Sequence, residues 1–511
     1  MCRKAFAVQE FATRLCDKNI FVKTGLSLRH YPAQEGVLRC QRFRRLRAVG
    51  LGQARNRRSF ENSKPKNFPE KNIEKMEWMT MLDIKQIRET PDIIKRLLKN
   101  KGADCGNDID RIIVLDTRRR EIIAESEANK AEQNKISKQI PQIKKEGGDA
   151  TQVLAQLSAL KATIGESDAV LRTVEGELEE LMLGLPNTPD EDLAAGGKEN
   201  NEPIKYYGEQ RKFDFAPKNH MELCGELGLI DYPRGVKLAG SGFWIYQGIG
   251  ARLEWALLNY FIDTHIADGY EMLFVPYILE YQCGLTAGQF PKFSDEVYKI
   301  ANPTDDRIHY LLPTAEAALV SLHRDEILAE ADLPKKYISF TPCFRREAGT
   351  YGSDERGMVR GHQFNKVEMV QYTTPEGSPA AFEELVSKAE ALVAGLGFHF
   401  RTVKLAAGDC SASMARTYDI EIQIPSMDGY KEVSSVSNAR CYQSRRGAMR
   451  YRRSDTGKIE FMHTLNGSGL ATSRILPALV EQNQQKDGSV IIPEVLRKYL
   501  GGLELIKVTT D

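Results

Sequence analysis

Three short stretches of this 511-residue chain set acids, bases, hydroxyls and glycines at spacings that suit nucleotide chemistry. The first begins at Phe344-Arg345-Arg346-Glu347, at the end of an alternating segment predicted as a strand over 338–347. A returning strand predicted over 362–372 carries Phe364, Lys366 and Glu368 on one face and Val367 and Met369 on the other. Such a face could stack a purine on Phe364 while Arg345 neutralises phosphate. Arg356 and Arg360 lie in the glycine-rich connection between the strands. Taken alone, the same alternation also fits a solvated sheet face. The second stretch, Tyr430-Lys431-Glu432-Val433-Ser434-Ser435, sets a carboxylate and hydroxyls in a strand, a donor set for a hard divalent cation bridging phosphates. The third, from Asn466-Gly467-Ser468-Gly469 to Arg474, combines glycines that admit close backbone approach with an arginine near a helix start.

Other nucleotide chemistries find no support. There is no G-x-x-x-x-G-K-[ST] run, and Gly240-Ser241-Gly242 leads into Phe-Trp-Ile-Tyr rather than a third glycine and a helix. Lys135-Ile136-Ser137-Lys138 resembles the lysine loop of one class of aminoacyl-tRNA synthetases, but it lies within a helical pattern and no H-x-G-H partner occurs. Nine scattered cysteines without a C-x-x-C pair argue for a reduced compartment, with neither a disulfide framework nor a zinc finger. No run of 18 apolar residues exists to span a membrane, and no membrane partner is expected.

The elements that must position these groups fall into four predicted regions. Residues 1–80 hold 18 basic and 7 acidic side chains, so the chain's net charge of +1 conceals a basic leader on an acidic body. The leader is expected to be disordered or to lie upstream of the true start, and it fits a transit peptide only in part. Residues 81–185 are predicted helical. A segment over 84–99 is followed by two helices in heptad rhythm: Leu115, Ile122, Ser126, Ile136 and Ile143 on the first, Leu157 through Leu185 on the second. Gly147-Gly148-Asp149 turns the chain, so the two run antiparallel as a rod of roughly 50 Å. Heptads alone suggest a dimerising coiled coil. The tip, however, carries Lys130, Lys135, Lys138, Lys144 and Lys145 against Glu132, which points to a phosphate backbone. Residues 186–203 read as a linker. Residues 204–511 mix helices with strands, predicted also over 419–424, 430–436 and 459–465, that are not regularly interleaved, so an α+β body on an antiparallel sheet is expected.

Together these features resemble the class II aminoacyl-tRNA synthetases, and most closely the seryl-tRNA synthetase family, over roughly residues 81–505. The likeness rests on Gly250 to Pro276, on Phe344 to Gly349 with Arg360 to Glu368, on Gly467 to Arg474, on the basic arm, and on Thr314-Ala315-Glu316. It implies an α+β protein: a long antiparallel coiled-coil arm followed by a catalytic domain on an antiparallel sheet flanked by helices. It also implies activation of L-serine with ATP and Mg2+ and transfer to tRNA(Ser), and to tRNA(Sec) where it exists, by a homodimer. Arg345 and Arg474 would be catalytic, and Arg346, Glu347, Phe364, Val433 and Ser434 would join them around ATP. Glu432 and Ser435 would bind both ATP and magnesium. Thr314, Ala315, Glu316, Glu368, Asn466 and Ser468 would hold serine, the tip lysines tRNA, and Pro276 the dimer interface. No zinc is expected. The implied compartment is the cytoplasm, or the mitochondrial matrix if the leader is a transit peptide. Three departures stand out: Gly361, where a larger residue is common and the adenine pocket could loosen, Pro141 near the arm tip, and the 80-residue leader, which has no counterpart in the bacterial pattern. The rivals are a non-catalytic paralogue and an amino acid:carrier-protein ligase. Intact site residues oppose the first and the long arm the second.

Overall fold

The computed structural model describes residues 82–301, 307–347, 357–427 and 429–508. The leader and Arg356 lie outside the described residues.

The segment expected as one helix over 84–99 is two, α1 (Ile84–Glu89) and α2 (Pro91–Asn100). Asp83 caps α1 by accepting from the Lys85 amide, and Pro91 opens α2, where its missing N–H costs nothing. The long helices are α3 (Gly106–Ser137) and α5 (Thr151–Gly184), 32 and 34 residues, so the rod is about 50 Å long. The heptad pattern predicts that the first of these continues to Ile143. It stops at Ser137, and α4 (Ile140–Lys145) restarts with Pro141 in its first turn, because proline cannot donate into the preceding ladder. Gly147 takes a left-handed φ of 70° and Gly148 returns its amide to the Ile143 carbonyl, closing α4 with a glycine cap.

Burial along the seam is concentrated at the root, where Ile109, Ile112, Leu115, Ile122, Leu178 and Met182 are buried, with Ile164 buried farther out. Asp116 is buried there too, clasped by Arg88 of α1 at 2.8 Å and Arg119 at 2.9 Å. Farther out the polar middle of α3 meets α5 through Ser126 and Lys130, both on Asp168. The span 186–203 is not a free linker. Asn187 binds the carbonyls of Ser413 and Ala439, Leu193 is buried, and a strand begins at Glu202. Buried Lys101, just past α2, donates to the carbonyls of Asn187, Ala412 and Met414, fastening the arm root to the body.

The body is built on an eight-stranded sheet. Its strands are β1 (Glu202–Tyr207), β2 (Glu271–Met272), β3 (Lys335–Phe344), β4 (Gln363–Thr373), β5 (Phe400–Lys404), β6 (Arg416–Gln423), β7 (Tyr430–Arg440) and β8 (His463–Ala471). Their spatial order is β1-β5-β6-β7-β8-β4-β3-β2. Every pairing is antiparallel except β2 with β3, as an α+β body requires. Three helices, α6 (Gly248–Ala267), α7 (Ser378–Gly395) and α8 (Thr472–Gln482), pack against this sheet. Leu253, Leu257, Phe261, Leu385, Leu392 and Leu476 form the apolar core with Val367, Met369 and Leu465 of the strands. Two strand boundaries differ from expectation. β3 ends at Phe344, and the alternating run 459–465 splits at Met462, its first half joining a separate three-stranded sheet. Among the described residues no helix is long and apolar enough to cross a membrane.

Candidate active site

Period-two alternation on β4 sends Val367 and Met369 into the helical core and leaves Phe364, Lys366 and Glu368 on the opposite face. Phe364 and Lys366 line a cavity of about 180 Å³ together with Arg345, Glu347, Arg360, Gly361, Glu432, Val433, Ser468 and Arg474. An adjoining cavity of about 530 Å³ shares Arg360, Glu432 and Arg474 with it and adds Asp419, Glu421 and Ser435. The three stretches singled out in the sequence thus meet in one cleft on the face of the sheet opposite α6 and α8.

The Arg345 guanidinium lies 5.1 Å from the Phe364 ring centroid, so charge and aromatic face are already paired. Glu347 follows the strand rather than belonging to it. Its φ of 48° turns the chain, and Arg360 reaches its carboxylate from the returning segment at 2.7 Å. Arg474 donates to the Glu432 carbonyl at 2.6 Å and approaches its carboxylate at 3.3 Å, bridging α8 to β7 over the cleft. Arg346 does not line the cleft. Its guanidinium binds the Asp295 carbonyl at 2.7 Å. Ser434 likewise spends its hydroxyl on the Ser468 carbonyl, tying β7 to β8. Gly361 does not loosen the pocket: a Cβ there would stand 2.2 Å from the Trp244 ring, which occupies the space a larger residue would need.

Asp419 and Glu421 were not expected in the site. Cross-strand register sets Asp419 opposite Ser435 and Glu421 opposite Glu432. Burial first and the Glu432 charge second push the Asp419 carboxyl well above the usual carboxylate range, and its Oδ1 is buried without a hydrogen bond. Such an oxygen beside Glu432 and Ser435 fits a hard divalent cation. Among the described residues no three acidic, histidine or cysteine side chains enclose a metal by themselves.

Deeper in, the Lys366 ammonium pairs with buried Glu368 and donates to Thr314 Oγ1 at 2.8 Å. Asn466 donates to Glu368 at 3.2 Å, and Ser468 stands opposite Glu368 across the strands. Glu316 is held by Gln443, whose amide donates at 2.8 Å while its own oxygen accepts from Thr464. Gln443 was not expected; it comes from a short helix with no pattern to mark it. Burial and the nearby Glu368 charge push the Glu316 carboxyl up to about 7. Ala315 is fully buried core. Glu316 and Glu368 thus bring two carboxyls together, an acidic site suited to an ammonium ligand, with Lys366 and Arg345 as the cations nearby.

The arm tip is set apart from this cleft by the length of the rod. Its five lysines are exposed, and Lys138, Lys144 and Lys145 have no acidic partner within ion-pair distance among the described residues, whereas Lys130 meets Asp168 and Lys135 meets Glu132.

Residues 298–483 match the tRNA synthetase class II core domain (G, H, P, S and T), and residues 81–189 match the seryl-tRNA synthetase N-terminal domain. The chain is 56% identical to serine–tRNA ligase 2 of Clostridium acetobutylicum, over 82% of this chain and 99% of that protein. It belongs to the seryl-tRNA synthetase family. Serine–tRNA ligase of Nitratidesulfovibrio vulgaris strain Miyazaki F is 43% identical over 83% of this chain and 99% of that one. Among solved structures, seryl-tRNA synthetase from Pyrococcus horikoshii complexed with ATP superposes with a TM-score of 0.79 at 33% identity, covering 84% of this chain and all of that one. The cytoplasmic serine–tRNA ligase of Naegleria fowleri, in complex with AMP, gives 0.75 at 28%, covering 84% of this chain and 99% of that one. As a family member the chain is a class II aminoacyl-tRNA synthetase, an ATP-dependent ligase with an antiparallel-sheet core and a helical arm.

Proposed function

We propose that this seryl-tRNA synthetase activates L-serine with ATP and transfers it to the 3′ end of tRNA(Ser), and to tRNA(Sec) where that tRNA occurs. The carrying observation is that Lys366, which lines one cavity with Arg345, Phe364 and Arg474, the phosphate-and-purine surface, also pairs with Glu368 and donates to Thr314, and so joins that surface to the buried acidic cluster of Glu316 and Glu368. ATP would lie with adenine on Phe364 and beside Glu347, and with its phosphates between Arg345 and Arg474. The serine ammonium would enter between Glu316 and Glu368, with Asn466 and Ser468 beside it. The serine carboxylate then attacks the α-phosphorus in line and pyrophosphate leaves. In the second step a terminal ribose hydroxyl of the tRNA attacks the acyl carbon and AMP leaves. Arg345 neutralises the charge that builds on the α-phosphoryl oxygens, so catalysis is positioning and electrostatic stabilisation without a side-chain nucleophile. A magnesium ion held by Glu432 and Ser435, with Asp419 beside them, would offset charge on the ATP phosphates.

The lysines at the arm tip would hold the tRNA backbone outside the anticodon. Exposed Phe274, Tyr277 and Ile278 surround exposed Pro276, with Trp255 of α6 also exposed, an apolar face suited to a second copy. We propose the cytoplasm as the compartment, the mitochondrial matrix being the alternative if residues 1–80 are cleaved as a transit peptide. N-terminal sequencing of the native protein decides between them. Serine-dependent ATP–pyrophosphate exchange, with alanine and threonine as controls, tests the activity. Exchange with serine alone is expected, and no exchange with any amino acid would overturn the proposal.

A further inference from the structure

The buried side of helix α6 is mostly apolar, yet it includes a carboxylate, Glu254, that takes no part in the chemistry above. Glu254 Oε1 accepts from Asn365 Nδ2 at 2.8 Å and from Thr472 Oγ1 at 2.6 Å. Asn365 is the neighbour of Phe364 on β4 and so points to the opposite face of the strand. Thr472 is the first residue of α8, one turn or less from Arg474. The two side chains proposed to close on the nucleotide therefore stand on separate elements, and one buried oxygen ties those elements together. The Tyr246 hydroxyl lies among Glu254, Thr472 and the Trp244 indole, and Trp244 in turn backs Gly361 at the cavity wall. Burial pushes the Glu254 carboxyl up to about 7, and its bonds from Thr472 and Asn365 oppose that rise.

We propose that Glu254 is a positioning residue for ATP: it fixes the separation of Phe364 and Arg474 from beneath the sheet by holding Asn365 and Thr472 on one carboxylate oxygen. It touches neither substrate. A neutral acceptor of the same shape preserves this function in large part, because both donors need only an oxygen. An alanine removes both anchors and frees the two elements to shift relative to each other. Since Glu316, Glu368 and Thr314 are not tied to Glu254, the serine pocket keeps its geometry.

The inference rests on the seryl-tRNA synthetase reading, and the test separates the two. Serine-dependent ATP–pyrophosphate exchange is measured on the full chain with Glu254→Ala, Glu254→Gln and Thr472→Val, alongside thermal unfolding. Glu254→Ala is expected to raise KM for ATP by about ten- to a hundredfold, the range for losing charge-assisted hydrogen bonds. KM for serine should stay within about twofold of wild type and Glu254→Gln should recover most of the loss, as expected when the acceptor geometry survives. Thr472→Val, which unhooks only α8 and removes a single hydroxyl, should raise KM for ATP in the same direction, and it decides the matter if Glu254→Ala does not fold. Unchanged KM for ATP in a folded Glu254→Ala or Thr472→Val chain, or equal losses for ATP and serine, would overturn the proposal. A wild-type chain without exchange would instead overturn the activity itself.

Discussion

Serine affinity should fall as pH drops through neutrality, because the ammonium pocket depends on an ionised Glu316. Its carboxyl is pushed up to about 7 by burial and by Glu368. Lys366 and Glu368 face it from β4, Gln443 from the 442–446 helix, Arg345 from the end of β3, and Tyr310 from the 309–311 strand. Burial pushes the Tyr310 hydroxyl far up, so it stays neutral, and the two cations stay charged between pH 6 and 8. The sign follows from the charged form being the one that binds. Above the pKa the carboxylate attracts the serine ammonium; below it the protonated acid does not. If only the ionised fraction is competent, apparent affinity scales with that fraction, and KM for serine should rise about tenfold from pH 8 to pH 6. Measuring KM at saturating ATP keeps Asp419 and Glu254 out of the readout, since Asp419 lines the nucleotide end of the cleft and Glu254, beneath the sheet, bonds only to Asn365 and Thr472 of the elements that carry the nucleotide-side groups. Titration calorimetry in buffers of different ionisation enthalpy should show roughly half a proton released per serine bound at pH 7. Glu316→Gln should flatten the profile while raising KM at pH 8 by about ten- to a hundredfold. A KM for serine that is flat from pH 8 to 6 in the wild-type chain would refute the reasoning.

The arm should be separable from the cleft. Replacing residues 129–166 with a short turn leaves the root core around Ile112, Leu115 and Leu178 intact, so exchange should persist while tRNA(Ser) charging is lost; charging that survives the deletion would remove the tRNA role of the arm. Alanine at Lys138, Lys144 and Lys145 should weaken tRNA binding and flatten its dependence on log salt by roughly 0.7–0.9 for each phosphate no longer neutralised, read by filter binding at several ionic strengths. Gly361→Ala drives a Cβ into Trp244 and should cost about 1–3 kcal/mol of stability, partly relieved by Trp244→Leu. A Gly361→Ala chain with unchanged Tm and KM for ATP would show that the Trp244 ring yields freely. Phe274 is 75% exposed beside Pro276, and Phe274→Glu should convert a dimer to a monomer by light scattering; an unchanged mass would move the interface elsewhere.

How much of this was legible in the sequence depended on whether a residue is placed by its own element or by another. Phe364, Lys366 and Glu368 could be assigned to one face because a strand alternates whatever it is paired with, and the site does use that face. The arm was equally legible, since heptads and a glycine turn are local. Alternation failed where the chain leaves the strand. Arg345 and Glu347 continue the pattern of β3 in the sequence, but β3 ends at Phe344 and Glu347 turns at a φ of 48° to meet Arg360. The run 459–465 failed for a similar reason, because pairing partners divide it between two sheets and periodicity carries no information about partners.

Asp419, Gln443 and Glu254 were missed because their roles are set by register and packing between elements distant in the chain. Yet one of them carried a readable signal. Glu254 sits within Leu253-Glu254-Trp255-Ala256-Leu257, an acid flanked by apolar residues on the buried side of its helix. Asp116 follows Ile112-Ile113-Val114-Leu115 in the same way, and it too is buried between two partners, Arg88 and Arg119. An ionised side chain within an apolar run has two physical outcomes: it distorts the element to reach water, or it recruits hydrogen bonds from neighbours. In this chain both acids recruit, Asp116 from arginines that fix the arm root and Glu254 from the strand and helix that flank the nucleotide cleft. An acid in an apolar run therefore marks a junction between elements before any partner is known, and the identity of those partners is the part that only the fold supplies.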